Sequence, residues 1–391
     1  MLNSFTSRRY AIAYVALAAI FLVQLRGFYH SDTGLTSMIW FGDKFASRRM
    51  SSLDNIPIYT IDGPGYDGEF YAQIAVAGNP FDTALVKALD SSPSYRDRRV
   101  LVPMLAHVLG LGRPALVLTV YALVNVFVWV ILAVLLARWW FPPTDLHNLL
   151  RWAGVLFGVG MVYSVTRSLT DGPSLLLIAL GVRAVERGRV WLGAVVLGVA
   201  GLARETSLLA APAVLARDDR STSRRSWLSA AAQIAICVLP TALWMVVLRI
   251  HFGSSGGTRN FAPPLFGFVG KLFETYDPKG MDWESTREIL AMVALVVQVG
   301  FVLARPRLRE PWWAVGATFA LLAFFLGRPV WEGFPGASTR VLLPLTMAFN
   351  VLAPRTRRGL ALLLAGNLMV LSAPAAWHTL PRSIHAMERH R

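Results

Sequence analysis

Acidic side chains in this sequence stand beside the ends of long apolar stretches, where they could handle a polar substrate. Residues 66–69 read Tyr-Asp-Gly-Glu and place two carboxyl groups just before an apolar segment. A carboxylate within hydrogen-bond reach of a hydroxyl can act as its general base. The same pattern is also typical of an Asp-Gly turn followed by an acid that caps a helix. The sequence predicts Asp67 and Glu69 as catalytic residues, with the turn-and-cap interpretation as the alternative.

Arginines precede two other apolar stretches and would supply a complementary chemistry. Arg96, Arg98 and Arg99 lead into the apolar segment 99–111, and Arg340 stands at the start of a later one. A planar guanidinium group can bind two phosphate oxygens at once. The same side chains can also snorkel to a membrane surface and contact lipid headgroups. The first interpretation predicts that these arginines bind an anionic substrate.

Two further elements place charges in very short connections between apolar stretches. Asp171 lies two residues before Pro173, at the start of an apolar segment, where a helix cap is the alternative to a substrate role. Arg204 and Glu205 separate two short apolar runs. Ions inside a membrane are usually functional, although a purely structural salt bridge is the alternative here. The complete set of predicted substrate-binding residues is Tyr66, Arg96, Arg99, Asp171, Arg204, Glu205 and Arg340.

The apolar stretches that position these side chains indicate a membrane protein. The chain has 391 residues, of which 55% are hydrophobic and 16% charged. Soluble domains are about 45–50% apolar and about 25% charged. Several stretches reach the ~17–25 residues with which a helix crosses a bilayer. We therefore predict an all-α polytopic membrane protein of about 11 transmembrane helices. The stretches are approximately 10–28, 114–137, 152–166, 173–187, 190–203, 206–216, 227–249, 286–304, 311–327, 339–353 and 358–376.

Basic residues are distributed unevenly among the segments between these stretches. The formal net charge is +15. When the N-terminus is placed in the cytoplasm, the short cytoplasmic segments carry a net +12 and the rest of the chain +3. This asymmetry is what the positive-inside rule expects. The basic charge therefore has a topological explanation, and it does not indicate a nucleic-acid partner. Cys237 is the only cysteine, so the chain has no intramolecular disulfide.

Two long segments, about 29–113 and about 250–285, then lie outside the cytoplasm. The first is rich in Trp, Tyr and Phe, which is unusual for a disordered linker. Within it, 37–48 and 71–76 are predicted as short amphipathic helices on the membrane surface. The segment 99–111 is predicted to lie on that surface as well, rather than to span the membrane. Residues 1–376 thus form one transmembrane domain, which a short tail, 377–391, follows.

The ordered set of motifs resembles the GT-C superfamily of membrane glycosyltransferases. Within it, the chain is most similar to bacterial cell-surface glycopolymer formation proteins related to protein O-mannosyltransferases and aminoarabinose transferases. The motifs extend over roughly residues 60–345, on one side of the predicted membrane. They are Tyr-Asp-Gly-x-Phe-Tyr at 66–71, Tyr-Arg-x-x-Arg-x-Leu-x-Pro at 95–103, Thr-Asp-x-Pro at 170–173, Leu-x-Arg-Glu-Thr at 202–206 and Arg-x-Leu-x-Pro at 340–344.

The resemblance implies an enzyme of the bacterial plasma membrane with a GT-C-like bundle and an extracytoplasmic active site. Such enzymes transfer a sugar from a polyprenyl-phosphate donor to a cell-envelope acceptor. By this resemblance Asp67 would be the base or a metal-proximal carboxylate, Asp171 the later acid, and the basic residues would hold the donor phosphate. If a divalent metal ion takes part, Asp67, Glu69 and Asp171 are its expected ligands; no other cofactor is implied.

Two other classes of protein are compatible with the same residues. In a transporter or flippase for lipid-linked glycans, Asp171, Arg204 and Glu205 would form an ion or substrate relay near the membrane midplane. A non-enzymatic scaffold in envelope assembly would not require the polar residues to converge. The sequence shows no internal repeat of the kind that many transporters have. The long aromatic loop also favours the enzyme.

Overall fold

The computed structural model describes residues 2–89, 93–216, 224–253, 260–276, 280, 282–332 and 337–374. The predicted tail 377–391 lies outside the described residues. The described chain is nearly all-α. Its helices are α1 Leu2–Leu25, α2 Asp67–Ala77, α3 Thr83–Ala88, α4 Pro93–Arg96, α5 Leu101–Leu109, α6 Pro114–Trp139, α7 Leu146–Leu156, α8 Val159–Thr166, α9 Asp171–Glu186, α10 Val190–Ala203, α11 Arg224–Phe252, α12 Phe266–Thr275, α13 Trp283–Ala304, α14 Pro311–Phe325, α15 Arg328–Trp331, α16 Ser338–Val341, α17 Leu343–Leu352 and α18 Arg357–Gly366.

Four of the described helices are long and apolar enough to cross a membrane. These stretches are Arg8–Phe28, Pro114–Trp139, Trp227–Phe252 and Trp283–Ala304, and the bent pair α7–α8 makes a fifth if it counts as one span. Shorter apolar helices, such as α10, α14 and α17, pack among them. These features are those of a multi-pass membrane protein. The number of about 11 spans stays a prediction.

The two short apolar runs around Arg204 form a broken element. Helix α10 has 14 residues and ends at Ala203. Arg204 is extended, with φ −157° and ψ 125°, and a 3-10 helix, Glu205–Leu215, follows it. At 1.5 Å per residue, α10 is shorter than the ~30 Å apolar core of a bilayer. Arg204 at this break is buried, and the 3-10 helix that follows packs against α9, α10, α11 and α14.

The first long loop is ordered, but it is built differently from the prediction. Its 3-10 helices Thr36–Met38 and Asp43–Arg48 flank β1, Phe41–Gly42, which pairs in parallel with β2, Thr60–Ile61. The segment 71–76 belongs to α2, which is buried against α5 and α6. The prediction of a surface helix there is wrong. Every residue of 71–76 is buried, and the polar Gln73 accepts a hydrogen bond from the Met50 N–H.

The segment 99–111 forms α5, whose nine residues are too few to span a bilayer. One face of α5 buries Val102 and Ala106 against the bundle, whereas Val108 and Leu109 are exposed. This arrangement is consistent with the predicted surface helix. A 3-10 helix, Asp97–Arg99, precedes α5 and contains Arg98 and Arg99.

Two glycines allow close contacts between backbone segments that are far apart in the sequence. Gly68, in the first turn of α2, leaves no room for a Cβ because the backbone carbonyl groups of Ile39 and Arg167 lie against it. Gly160 on α8 similarly lies against the backbone of Thr339 and Arg340. The two glycines therefore allow α2 and α16 to pack directly on the α8–α9 region.

A neutral polar network lies within the bundle, between α13, α17 and α18. The Gln298 Nε2 donates to the Gly366 carbonyl at 2.7 Å, and the Thr346 hydroxyl donates to Gln298 Oε1 at 2.9 Å. The side-chain amides of Asn350 and Asn367 donate to each other at 3.0 and 2.8 Å. Gln298, Thr346 and Asn350 are fully buried. Their hydrogen bonds to one another offset the cost of removing these groups from water.

Candidate functional site

A cavity of about 340 Å³ opens where the first loop meets the ends of the later helices. It falls within the usual size range of small-molecule sites. Its walls come from segments that are far apart in the sequence, including α2, the turn after α4, the break after α10, and α16. The predicted site residues that line it are Tyr66, Asp67, Arg96, Arg99, Arg204, Glu205 and Arg340.

Asp67 presents a carboxylate to this cavity from the first turn of α2. Arg96 Nη1 donates to its Oδ1 at 2.6 Å, and Arg340 Nη2 lies 3.8 Å from its Oδ2. Burial alone would raise the pKa of Asp67, but the charges of Arg96 and Arg340 outweigh burial and hold the pKa well below its usual value. The side chain is 29% exposed. Asp67 is therefore ionised near neutral pH and remains accessible from the cavity.

Asp171 lies beneath the cavity and connects two of its arginines. Its carboxylate is almost fully buried at the start of α9, where it accepts hydrogen bonds from Arg204 and, at 3.3 Å, from Arg340. Arg340 also donates to the Tyr66 hydroxyl at 3.0 Å. Asp171 thus orients both Arg204 and Arg340. Arg340 in turn connects Asp171 with Tyr66, the residue before Asp67.

Arg99 and Glu205 form a separate pair on another wall of the cavity. Arg99 Nε donates to Glu205 Oε2 at 3.0 Å and Arg99 Nη2 to Glu205 Oε1 at 3.1 Å. This bidentate arrangement is the strong form of an arginine–carboxylate pair. Arg99 also donates to the Tyr71 hydroxyl. The pair connects the first loop to the break after α10, and its two charges cancel.

Arginines outnumber acids in the lining of the cavity. Among the described residues, five arginines and three acids, Asp67, Glu205 and Glu332, line it, and Asp171 lies beneath. Charges enclosed by low-dielectric walls act more strongly than charges in water. The cavity therefore favours an anionic group.

The structure does not place Glu69 at the cavity. It is fully buried, and its Oε2 accepts the Gly42 N–H at 2.7 Å. Successive residues of an α-helix turn by about 100°, so positions two apart face roughly opposite directions. Asp67 points towards the cavity and Glu69 away from it. The structure thus separates the two predicted catalytic residues, and Glu69 anchors the β1 segment.

The predicted metal ligands do not assemble either. Among the described residues, no group of three or more His, Cys, Asp or Glu side chains could hold a metal ion. Arg340 bridges Asp67 and Asp171, and Glu69 faces elsewhere. The arrangement of Asp67, Glu69 and Asp171 therefore does not fit a shared divalent ion.

Three residues near the cavity were absent from the predicted set. Arg167 is buried against the Trp40 and Tyr163 rings, with its guanidinium carbon 4.2 and 3.7 Å from their centroids. Its position four residues before Asp171 was the available sequence signal. Tyr95 and Asn260 line the cavity itself, whereas Arg167 does not. Tyr95 had a signal in its neighbouring arginines, whereas Asn260 had none.

An apolar groove of about 300 Å³ lies next to the cavity. Helices α12, α13 and α14 form its walls, with side chains such as Phe268, Val296 and Phe324. The single turn α15 separates the two spaces, since Val330 lines the cavity and Trp331 lines the groove. A polar cavity and an apolar groove are therefore neighbours at this end of the bundle.

No protein-family profile, curated protein or solved structure matches the chain. The resemblance of its motifs to the GT-C superfamily accordingly stays a prediction from the sequence.

Proposed function

We propose that the chain is a membrane glycosyltransferase that moves a sugar from a polyprenyl-phosphate donor to a cell-envelope acceptor. One observation carries the proposal: an ionised, accessible carboxylate, Asp67, lies in the same cavity as an excess of arginines at the end of an apolar bundle. Sugar transfer from a lipid phosphate requires both groups. The carboxylate receives the acceptor proton, and the arginines bind the phosphate.

The chemistry assigns a separate role to each half of the arrangement. The acceptor hydroxyl oxygen attacks the anomeric carbon, the bond from that carbon to the phosphate oxygen breaks, and the hydroxyl proton passes to Asp67. The low pKa of Asp67 makes it a weak base, so the proton moves late, when the forming bond has made the hydroxyl acidic. Arg340 and Arg204 stabilise the charge that develops on the departing phosphate. This scheme uses one carboxylate, Asp67, because Glu205 is paired with Arg99. One acting carboxylate suits inversion, since retaining enzymes use two carboxylates about 5–5.5 Å apart.

The neighbouring groove supports a lipid-linked donor over a soluble one. A polyprenyl chain needs an apolar surface beside its phosphate, and the groove of α12–α14 provides one within a turn of the cavity. A nucleotide sugar would instead need a second polar region for its base and ribose. The distribution of basic residues further supports an extracytoplasmic site in a bacterial plasma membrane, with the N-terminus in the cytoplasm.

The test uses membranes from cells that express the full chain, supplied either with radiolabelled polyprenyl-phosphate sugars or with the corresponding nucleotide sugars. We expect label to move from the lipid-linked sugars into material that organic solvent does not extract. Transfer from a nucleotide sugar without a lipid carrier would contradict the donor assignment. A transporter or flippase would move the lipid-linked sugar without cleaving it, so the label would stay extractable.

A further inference from the structure

Tyr95 has a hydrogen-bonding arrangement that the transfer chemistry above does not use. Its hydroxyl oxygen accepts from Asn260 Nδ2 at 3.1 Å and from Arg99 Nη2 at 3.5 Å. A tyrosine hydroxyl has one proton to donate and two lone pairs with which to accept. Because both lone pairs have partners, this hydroxyl can only donate to a ligand. No described residue accepts its proton, and Tyr95 lines the cavity.

Both partners of Tyr95 are held in place by other parts of the fold. The backbone carbonyl of Asn260 accepts the Gly327 N–H at 2.8 Å, which fixes the start of the segment that leads to α12. Arg99 is held by its bidentate pair with Glu205. The direction of the Tyr95 proton is thus set before any ligand enters.

Tyr95 and Arg340 lie on different walls of the cavity. Tyr95 contacts Arg99, which pairs with Glu205, whereas Arg340 and Arg204 converge on Asp171. The guanidinium groups of Arg96, Arg98 and Arg99 lie beside the Tyr95 ring, and the Tyr95 hydroxyl is the neutral donor among them. Charged donors bind a phosphate more strongly than a neutral hydroxyl does. A ligand whose phosphate lies at Arg340 and Arg204 would therefore present an uncharged oxygen to Tyr95.

We propose that Tyr95 donates a hydrogen bond to an uncharged oxygen of the transferred sugar, and that Asn260 fixes it in this donor role. The two residues then form a sugar subsite beside the phosphate subsite of Arg340 and Arg204. This inference rests on the proposed transferase function, because it assumes that a sugar and a phosphate occupy the cavity together. It makes Tyr95 a determinant of which sugar is accepted.

The test compares binding of sugar-free decaprenyl phosphate with binding of decaprenyl-phosphate mannose, glucose and arabinose to the purified full chain. The readout is the ratio of each glycosylated affinity to the sugar-free affinity. Tyr95→Phe keeps the ring but removes the donor, and it should lower the ratio for the preferred sugar roughly 2- to 12-fold. Sugar-free binding should not change. Tyr276→Phe, at an exposed tyrosine beyond α12, is the control and should leave the ratio unchanged.

Two substitutions of Asn260 test how Tyr95 is oriented. In Asn260→Asp the new carboxylate accepts the Tyr95 proton and withdraws it from the cavity, so the ratio should fall as it does in Tyr95→Phe. Asn260→Ala leaves the Tyr95 proton available and should largely preserve the ratio. An unchanged ratio in both Tyr95→Phe and Asn260→Asp would overturn the proposal. An equal loss of sugar-free and glycosylated binding in Tyr95→Phe would also overturn it, since it would mean that Tyr95 binds the phosphate.

The wild-type protein separates this inference from the function on which it rests. If it binds none of the lipids, the lipid-phosphate proposal fails and the sugar subsite fails with it. If it binds sugar-free decaprenyl phosphate as tightly as every glycosylated form, the phosphate site stands and the sugar subsite is overturned.

Discussion

The cavity and the network around Gln298 are both buried and polar, yet they are built differently. In the network, Gln298, Thr346, Asn350 and Asn367 are uncharged and hydrogen-bond to one another or to a backbone carbonyl. The cavity instead concentrates arginines and carboxylates, and part of Asp67 remains open. The network uses its polar atoms to hold helices together, whereas the cavity leaves charge available to a ligand.

This difference shows which buried polar groups to associate with function. A neutral network whose members hydrogen-bond to one another rigidifies a bundle at a modest cost in desolvation free energy. Buried ion pairs are expensive to desolvate and seldom justified by stability alone. The cavity carries this desolvation cost and also has more arginines than acids in its lining. A bound anion would balance the excess positive charge. Substitutions in the two regions should therefore affect different properties of the protein.

The largest expected effect comes from the carboxylate that the cavity exposes. Asp67→Asn keeps the shape of the side chain but removes the proton acceptor, so transfer should fall by about 10²–10⁴. Glu69→Gln is the matched comparison, because Glu69 is a nearby carboxylate that lies away from the cavity, where it accepts the Gly42 N–H. It should affect stability more than transfer. Rates of sugar transfer, normalised to folded protein, check both expectations, and near-normal transfer by Asp67→Asn would contradict the role of Asp67.

Asp97 sharpens the comparison because it is a carboxyl group placed away from the cavity and without a hydrogen-bond partner among the described residues. It is fully buried, and burial raises its pKa to about 8. The unfolded chain, with an Asp pKa of about 3.9, loses this proton first. The folded state therefore binds more protons between these values, and stability should fall as pH rises from about 4 to about 8.

Asp97→Asn should remove this pH dependence. Relative to wild type, the variant should gain up to about 4 kcal/mol of unfolding free energy between pH 5 and pH 8, at about 1.4 kcal/mol per pH unit. Unfolding in detergent at the two pH values measures the difference. Asp54→Asn, at an exposed carboxyl group, is the control. A difference between wild type and Asp97→Asn that does not vary with pH would show that Asp97 is ionised in the folded protein.

Arg340 tests whether the proposed phosphate site needs the geometry of arginine as well as its charge. It contacts Asp171 and Tyr66 and lies near Asp67. Arg340→Lys keeps the charge but loses the planar fork. Losing one charged hydrogen bond costs about 1.5–3 kcal/mol, so binding of decaprenyl phosphate should weaken roughly 10–150-fold. Arg249→Lys, at an exposed arginine, should bind normally. Equal binding by wild type and Arg340→Lys would remove Arg340 from the phosphate site.

The smallest effect on transfer is expected in the neutral network. Gln298→Leu leaves the Gly366 carbonyl and the Thr346 hydroxyl without their partner. This should cost about 1–3 kcal/mol of stability, measured as a lower unfolding free energy. Transfer per folded molecule should not change. A clear loss of transfer in stable Gln298→Leu protein would show that the two regions are coupled.

The sequence predicted most of the charged residues of the cavity because charges at the ends of apolar runs are costly and easily recognised. Asp67, Arg204 and Arg340 were predicted on that basis, and the structure brings them together. Glu69 was misplaced because the helical phase of α2 puts it opposite Asp67. The surface helix at 71–76 was wrong because Gln73 finds a backbone partner inside the fold.

Other features depend on contacts that the sequence does not encode locally. The hydrogen bond between Tyr95 and Asn260 joins residues 165 positions apart. The Asn260 carbonyl in turn accepts the Gly327 N–H, just after α14. The close contact of Gly160 with α16 is equally non-local. Patterns of hydropathy and charge predict which residues lie near one end of a bundle, but they do not predict which of them touch.

The most direct test of the central claim is an experimental structure of the protein in a lipid nanodisc with a polyprenyl phosphonate, a non-cleavable analogue of the donor. The account predicts phosphonate density in the cavity, within hydrogen-bond distance of Arg340 and Arg204 and beside Asp67. It predicts the apolar chain in the groove lined by Phe268, Val296 and Phe324. A phosphonate bound elsewhere, with the cavity empty, would contradict the account.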